Sequence, residues 1–405
     1  MRIGIVTTWF ERGAAYVSRQ FMNVLKETDE VFIYARGGEK YAIGDPKWDL
    51  PNVWWGKRDV YMNGVFNSTH IYKDDFLKWI QKTGVEAILF NEQQWMTPVV
   101  WAKDAGILSI AYIDYYTEAT IPLFDVYDCL ICNTKRHAFA FRNHKNVRYI
   151  KWGTDIELYK PSKEEREKIT FFHSAGMAPI RKGTDILLQA YFNSKKRTEG
   201  KLLIHTQVSL AKTIPDQSTI IDTMVNEGSL EIVEGTISAP GLYHKGDVYV
   251  YPSRLDGIGL TLMEAIACGM VCITSDNAPM NEFIEQDFGL VTPIDYYYSR
   301  IDGYYWPMCV CSIKDLTEQI DSCLSDKIDL SKMKSAARTY AENELDFKKN
   351  CKVLHEIINN TTFDADYQRV AEKIIEMDRY GVKRYSHILS IAYAFKNKIK
   401  SVFKI

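Results

Sequence analysis

The sequence predicts an α/β protein built from two doubly wound domains, each a mostly parallel sheet, with a helical extension at the C-terminal end. Three observations predict it. Short, continuous apolar runs alternate with amphipathic stretches along most of the chain. A charged interruption, "SKEEREK" at 162–168, divides that alternation into two series. A chain of 405 residues, 46 % hydrophobic and 25 % charged, is long and apolar enough for two cores.

The first series comprises "RIGIVTTW", "EVFIYAR", "EAILFN", "ILSIAYID" and "DCLICN". The second comprises "ITFFHSAG", "KLLIHTQ", "LEIVEG", "DVYVYPS", "VCITSD" and "GLVTP". Unbroken apolar strands separated by helices indicate parallel sheets covered on both faces. The expected division is 1–155 for an N-terminal domain, 156–168 for a linker, and 169–345 for a second domain. Helices over 346–405 are expected to return to the first domain. Ligands of such folds bind outside the carboxyl ends of the strands, here most naturally in a cleft faced by both domains.

Charge and composition exclude several classes. A formal net charge of −2 gives no basis for nucleic-acid binding. The N-terminal apolar run is too short for a secretory segment, and no uninterrupted apolar stretch is long enough to span a bilayer. Among the eight cysteines, Cys129 and Cys132 form a C-x-x-C inside a strand-like run, and a zinc site needs a second pair. Reduced thiols and a cytoplasmic location are expected. No metal is implied: Asp364 and Asp366 form a D-x-D, but it precedes "YQRVAEKIIEM" and reads as a helix N-cap.

The tail has its own character. Beyond Arg379, Lys383, Arg384, Lys396, Lys398, Lys400 and Lys404 occur without one acidic residue, and Ile388, Ile391, Phe395, Ile399 and Val402 recur at helical spacing. Two readings stand: a terminal helix docked on its own domain, or a basic amphipathic helix on an anionic membrane surface. The second would make the protein peripheral on the inner face of the cell membrane.

The chemistry concentrates in "RLDGIGLTLMEAIACG", residues 254–269. Asp256 precedes a glycine turn that lets backbone amides approach a ligand. Glu264 lies in an otherwise apolar helix that Gly269 ends. A buried carboxylate costs several kcal/mol unless something donates to it. Either a protein donor or a pair of ribose hydroxyls would serve, and the adjoining glycine turn favours the ribose.

"PSRLDGIGLTLMEAIACGMVCITSD", together with "KWGTDIELYKP" and "SAGMAPIRKGTDILLQAY", resembles the retaining glycosyltransferases of the GT-B fold, family four, also called glycosyl transferases group 1. The resemblance covers Phe171 to Pro293 well and the N-terminal half weakly. It implies two Rossmann-like domains, 1–155 on the acceptor side and 169–345 binding the nucleotide sugar, and metal-independent transfer of a sugar from a UDP- or GDP-linked donor, with retention of configuration. It makes Glu264 the ribose ligand and puts Asp256 where the family has a glutamate facing the donor sugar. Gly257, Ile258, Gly259 and Leu260 become the loop near sugar and diphosphate, and Lys182 the cation on the leaving group. The family arginine falls on Met177, with Arg181 nearby in sequence as a substitute. Asp114 stands where the family often has a histidine; it would bind a donor hydroxyl or activate the acceptor, or else simply cap a strand end. His173, His205 and His244 are poor replacements for that histidine.

Gly13 could admit the acceptor or a phosphate at a helix start, with Glu11, Arg12 and Tyr16 beside it, although an ordinary first loop explains the same residues. Glu92, Gln93 and Trp95 form a possible acceptor edge at a strand end. The implied acceptor is a glycan or a lipid-linked sugar in cell-surface polysaccharide or glycolipid synthesis. Two rivals share the architecture: an inert nucleotide-sugar-binding subunit, and a nucleotide-sugar epimerase.

Overall fold

The structure is a computed structural model that describes residues 1–37, 41–57, 69–164, 166–325 and 327–377. The described residues form two compact units, one within 1–133, 137–150 and 351–377, the other within 134–136 and 151–350.

Seven strands make the sheet of the first unit: β1 (Arg2–Thr7), β2 (Glu30–Ala35), β3 (Val53–Trp55), β4 (Ala87–Asn91), β5 (Leu108–Tyr112), β6 (Cys129–Cys132) and β7 (Val147–Tyr149). Their order is β3-β2-β1-β4-β5-β6-β7, and every pairing is parallel. β4 and β6 are buried along their whole length, as a sheet covered on both faces requires. Two polar ties hold this unit together. Asp29 accepts from the N-terminal amine at 2.8 Å and contacts His355 at 2.6 Å, fixing the C-terminal segment near the start of the chain. Lys103 and Asp128 form an ion pair whose side chains are fully buried. Phe363 and Tyr367 cover Lys103, and the Asp364 amide donates to Asp128 at 2.7 Å.

The second unit has a six-stranded parallel sheet of β8 (Thr170–Gly176), β9 (Lys201–Thr206), β10 (Leu230–Glu234), β11 (Val248–Tyr251), β12 (Val271–Ser275) and β13 (Gly289–Thr292). Its order is β10-β9-β8-β11-β12-β13. Strand order therefore reverses between β8 and β11, the kind of position at which ligands bind in such sheets. The core combines Phe171, Leu187, Leu202, Ile204, Val250 and Ile273. An antiparallel hairpin, β14 (Ile294–Tyr298) and β15 (Met308–Cys311), is appended after β13.

All eleven expected runs are strands. The sequence reading lacks β3 and β7, each three residues long and too short to show a period, and the hairpin, whose aromatic residues carry no alternation. Asp364 does cap the turn at Ala365–Tyr367, its side chain accepting from the Asp366 amide at 3.0 Å. The basic stretch from Lys383 to Lys404 lies outside the described residues. Among those described, no helix is long and apolar enough to cross a membrane.

Candidate active site

The loops leaving β8 and β11 are joined through their backbones. Gly183 sits at φ +74°, and a Cβ there would lie 2.0 Å from the carbonyl oxygen of Pro252, so only glycine lets the two segments touch. The Arg254 amide donates to the Arg181 carbonyl at 2.9 Å. The Arg254 guanidinium, almost buried, grips both carboxylate oxygens of Asp185 at 2.7 and 2.6 Å. This bidentate contact is the geometry in which arginine binds a carboxylate most firmly.

That junction places the charged groups. The Lys182 ammonium meets Asp256 and the hydroxyl of Tyr251, and Tyr251 in turn donates to Asp256. The Lys182 and Asp256 side chains are 13 % and 14 % exposed, shielded yet reachable. Arg181 donates to the Leu255 carbonyl at 2.8 Å and lies 3.7 Å from the Asp256 carboxylate. Its side chain thus turns onto the same carboxylate, while Met177 stands 76 % exposed.

Burial pushes the Lys182 ammonium below its usual range, against the pull of Asp256. Burial would raise the Asp256 carboxyl, but Lys182 and Arg181 outweigh it and hold the group well below the ordinary carboxylate range. The other Asp256 oxygen accepts from the Gly257 amide at 2.8 Å. Asp256 is therefore first of all the counter-ion of two cations.

Gly259 adopts φ +78° and starts the helix Leu260–Ala267, which no side chain caps. Its first amides and positive end are open to an anion. Ile258 is buried behind the turn and Leu260 is half-buried. Glu264, half-buried on the same helix, accepts from the Tyr243 hydroxyl at 2.5 Å and from Tyr159. Burial raises the Glu264 carboxyl, and the two phenols counter part of the rise.

The residues singled out in the first unit are placed separately. Asp114 lies just past β5, half-buried, in a crevice of about 10 Å³ shared with Glu92, Gln93 and Tyr115. Gly13 opens the helix Gly13–Leu25 and is exposed, with nothing near the position of a Cβ, so packing does not demand glycine there. Tyr16 donates to Glu11 at 2.5 Å, and Arg12 lies 3.4 Å from Glu92. Of the residues at the suggested acceptor edge, Glu92 and Trp95 are half-buried. Gln93 is buried and committed to Arg36, Thr69 and the Trp95 carbonyl, and Trp95 stacks on His70.

Residues 155–340 match the family described as glycosyl transferases group 1. The chain carries a group 1 glycosyltransferase domain. It is accordingly an enzyme that moves a sugar from a nucleotide-sugar donor. No curated protein matches the chain by sequence.

Solved structures share the fold. Anabaena HepE, determined with UDP and glucose, is 16 % identical, with a TM-score of 0.69 over 89 % of this chain and 99 % of that one. Sucrose-phosphate synthase from Thermosynechococcus elongatus is 16 % identical, with a TM-score of 0.69 over 89 % and 98 %. WaaG, a glycosyltransferase involved in lipopolysaccharide biosynthesis, is 13 % identical, with a TM-score of 0.60 over 87 % and 99 %. The fold is the GT-B arrangement expected from the sequence.

Three tyrosines of the group 1 domain touch the candidate site residues, and sequence reasoning missed them. Tyr159, Tyr243 and Tyr251 look like packing aromatics in a chain with 25 tyrosines, and only the fold brings their hydroxyls to Asp256 and Glu264. The histidines of the domain are structural or remote. His173 is buried between the Val250 carbonyl and Thr184, both at 2.8 Å, and burial pushes it down to about 4. His205 bonds the Gly235 carbonyl at 2.9 Å, and His244 is exposed.

Proposed function

We propose that the enzyme takes a UDP-linked sugar and transfers it with retention to a glycan or lipid-linked acceptor, in cell-surface polysaccharide or glycolipid synthesis. The observation that carries this reading is the strand-order reversal of the second unit. There two cations, two carboxylates and an uncapped helix start converge on the loops after β8 and β11. The UDP and glucose in the HepE structure support the choice of base.

In this reading Glu264 accepts the two ribose hydroxyls, which replace or supplement the phenols of Tyr243 and Tyr159. Lys182, Arg181 and the amides at Gly259 and Leu260 receive the diphosphate. Negative charge grows on that group as the glycosidic bond breaks, and a preplaced cation stabilises it most in the transition state. Asp256 keeps both cations in place, and its remaining acceptor capacity meets a hydroxyl of the donor sugar. Gly257 fixes the orientation of that carboxylate. Asp114 would serve the acceptor hydroxyl, and Gly13 would give the acceptor room.

The position of Arg181 weighs against an inert subunit, since it supplies the positive charge that Met177 does not. A panel of UDP- and GDP-sugars tests the proposal by thermal shift and by hydrolysis without acceptor. Stabilisation by GDP-sugars alone would overturn the choice of base. Binding without any hydrolysis or transfer would favour the inert subunit.

A further inference from the structure

The hairpin β14–β15 has a surface unlike the rest of the second unit. Tyr296, Tyr297 and Tyr298 are 57 %, 52 % and 39 % exposed. A strand that packs on a core hides alternate residues, so three exposed tyrosines in a row are not explained by packing. Tyr296 and Tyr298 share one face, with ring centroids 6.4 Å apart and planes inclined at 42°. Together they offer an aromatic platform on the scale of a sugar ring, edged by phenolic hydroxyls.

Charge narrows what could lie on it. Between Ile294 and Met308 the charged residues are Asp295, Arg300 and Asp302, and the last two pair with each other at 3.0 Å. No net positive charge is left for a phosphate or an anionic lipid. One exposed aliphatic residue, Ile301, gives little for insertion into a bilayer. An uncharged polyhydroxyl ligand, with C–H faces for the rings and hydroxyls for the phenols, fits the chemistry.

The platform is continuous with the candidate active site. The Cys309 amide of β15 donates to the Arg254 carbonyl at 2.9 Å. Met308 lines a depression of about 420 Å³ with Met177, Ile180 and Arg181. Trp306 lies 5.2 Å from the Arg136 guanidinium, which also donates to the Asp256 carbonyl at 2.7 Å.

We propose that the hairpin is a subsite for an uncharged segment of the acceptor glycan, stacked on Tyr296 and Tyr298 and leading toward the Asp256 loop. The assignment rests on the glycosyltransferase reading. Native gels containing dextran, galactomannan or a mixed-linkage β-glucan test it directly. At least one polysaccharide should retard the full chain. Tyr296→Ala/Tyr298→Ala should weaken that retardation about tenfold, the scale of two lost ring contacts, while Tyr296→Phe/Tyr298→Phe should keep it. UDP binding by each variant checks that the unit is folded. Migration unaffected by all three polysaccharides, or equal retardation of the alanine variant, would overturn the subsite. So would sedimentation with neutral phosphatidylcholine vesicles that the alanine variant loses, since it would mark a membrane contact instead. Failure of the full chain to bind UDP or hydrolyse any nucleotide sugar would sink the donor reading separately, whatever the gels show.

Discussion

Replacing Tyr243 with phenylalanine removes one hydroxyl and little else. The ring packs against Tyr159, Phe172 and Tyr249 with centroids 5.7, 5.3 and 5.9 Å away, and phenylalanine preserves that packing. What disappears is the donor 2.5 Å from Glu264. A hydrogen bond to a charged group contributes about 1.5–3 kcal/mol. Tyr159 still donates, so the lower end applies, and about 1.4 kcal/mol corresponds to one pKa unit. Burial already raises the Glu264 carboxyl, and the variant, with one donor to the carboxylate gone, should raise it further.

The sign follows from which form the fold prefers. A carboxyl raised in the folded state adds stability below its unfolded value, and that gain is lost as pH climbs through the folded value. Ribose binding runs the other way, because only the carboxylate accepts two hydroxyls. UDP affinity of Tyr243→Phe should therefore fall about tenfold at mildly acidic pH, and the deficit should shrink toward neutral and alkaline pH. Titration calorimetry of UDP at stepped pH measures this. A deficit that does not change with pH, or curves that superimpose, would refute the coupling of Tyr243 to Glu264 ionisation.

Lys182→Ala should lower turnover by about two to three orders of magnitude while weakening UDP binding much less; equal losses in both would place its role in the ground state. Gly183→Ala forces a side chain into a left-handed position against the Pro252 carbonyl, and should cost at least 1–3 kcal/mol, read as a lower melting temperature. An unchanged melt would show that the two loops are not packed as described. Asp128→Ala strands Lys103 in the core, and urea denaturation should register a loss of about 3–5 kcal/mol; a loss under about 1 kcal/mol would mean that water reaches the pair. Removing residues 382–405 should release the protein from anionic vesicles without changing UDP affinity, and unfolding of the shortened chain would favour the docked-helix reading.

The legible part of the fold was the part with a period. Buried parallel strands advertise themselves as unbroken apolar runs, and each of the eleven runs read as a strand is one. The hairpin escaped because "IDYYY" is aromatic on both faces and presents no alternation to read. The site divided along the same line. Lys182, Asp256 and Glu264 could be picked out as charged residues in glycine-rich or apolar company. The phenols beside them could not, since a tyrosine in a strand reads the same whether its hydroxyl meets a carboxylate or only lies among other rings. The direction of Arg181 was equally invisible, because it depends on the Leu255 carbonyl across a loop-to-loop contact rather than on its own neighbours. Gln93 looked free to recognise a ligand until the fold supplied Arg36 and the Thr69 carbonyl to it.

The close approach of Gly183 to Pro252, locked by Arg254 and Asp185, makes the two loops one inherited part. A change in donor preference cannot then be transplanted by exchanging either loop alone. A foreign segment carrying Lys182 would meet the wrong backbone at Pro252, and a foreign segment carrying Asp256 would leave Asp185 without Arg254. Recombination between related enzymes would have to cut before β8 and after the helix Leu260–Ala267, so that cation and carboxylate travel together.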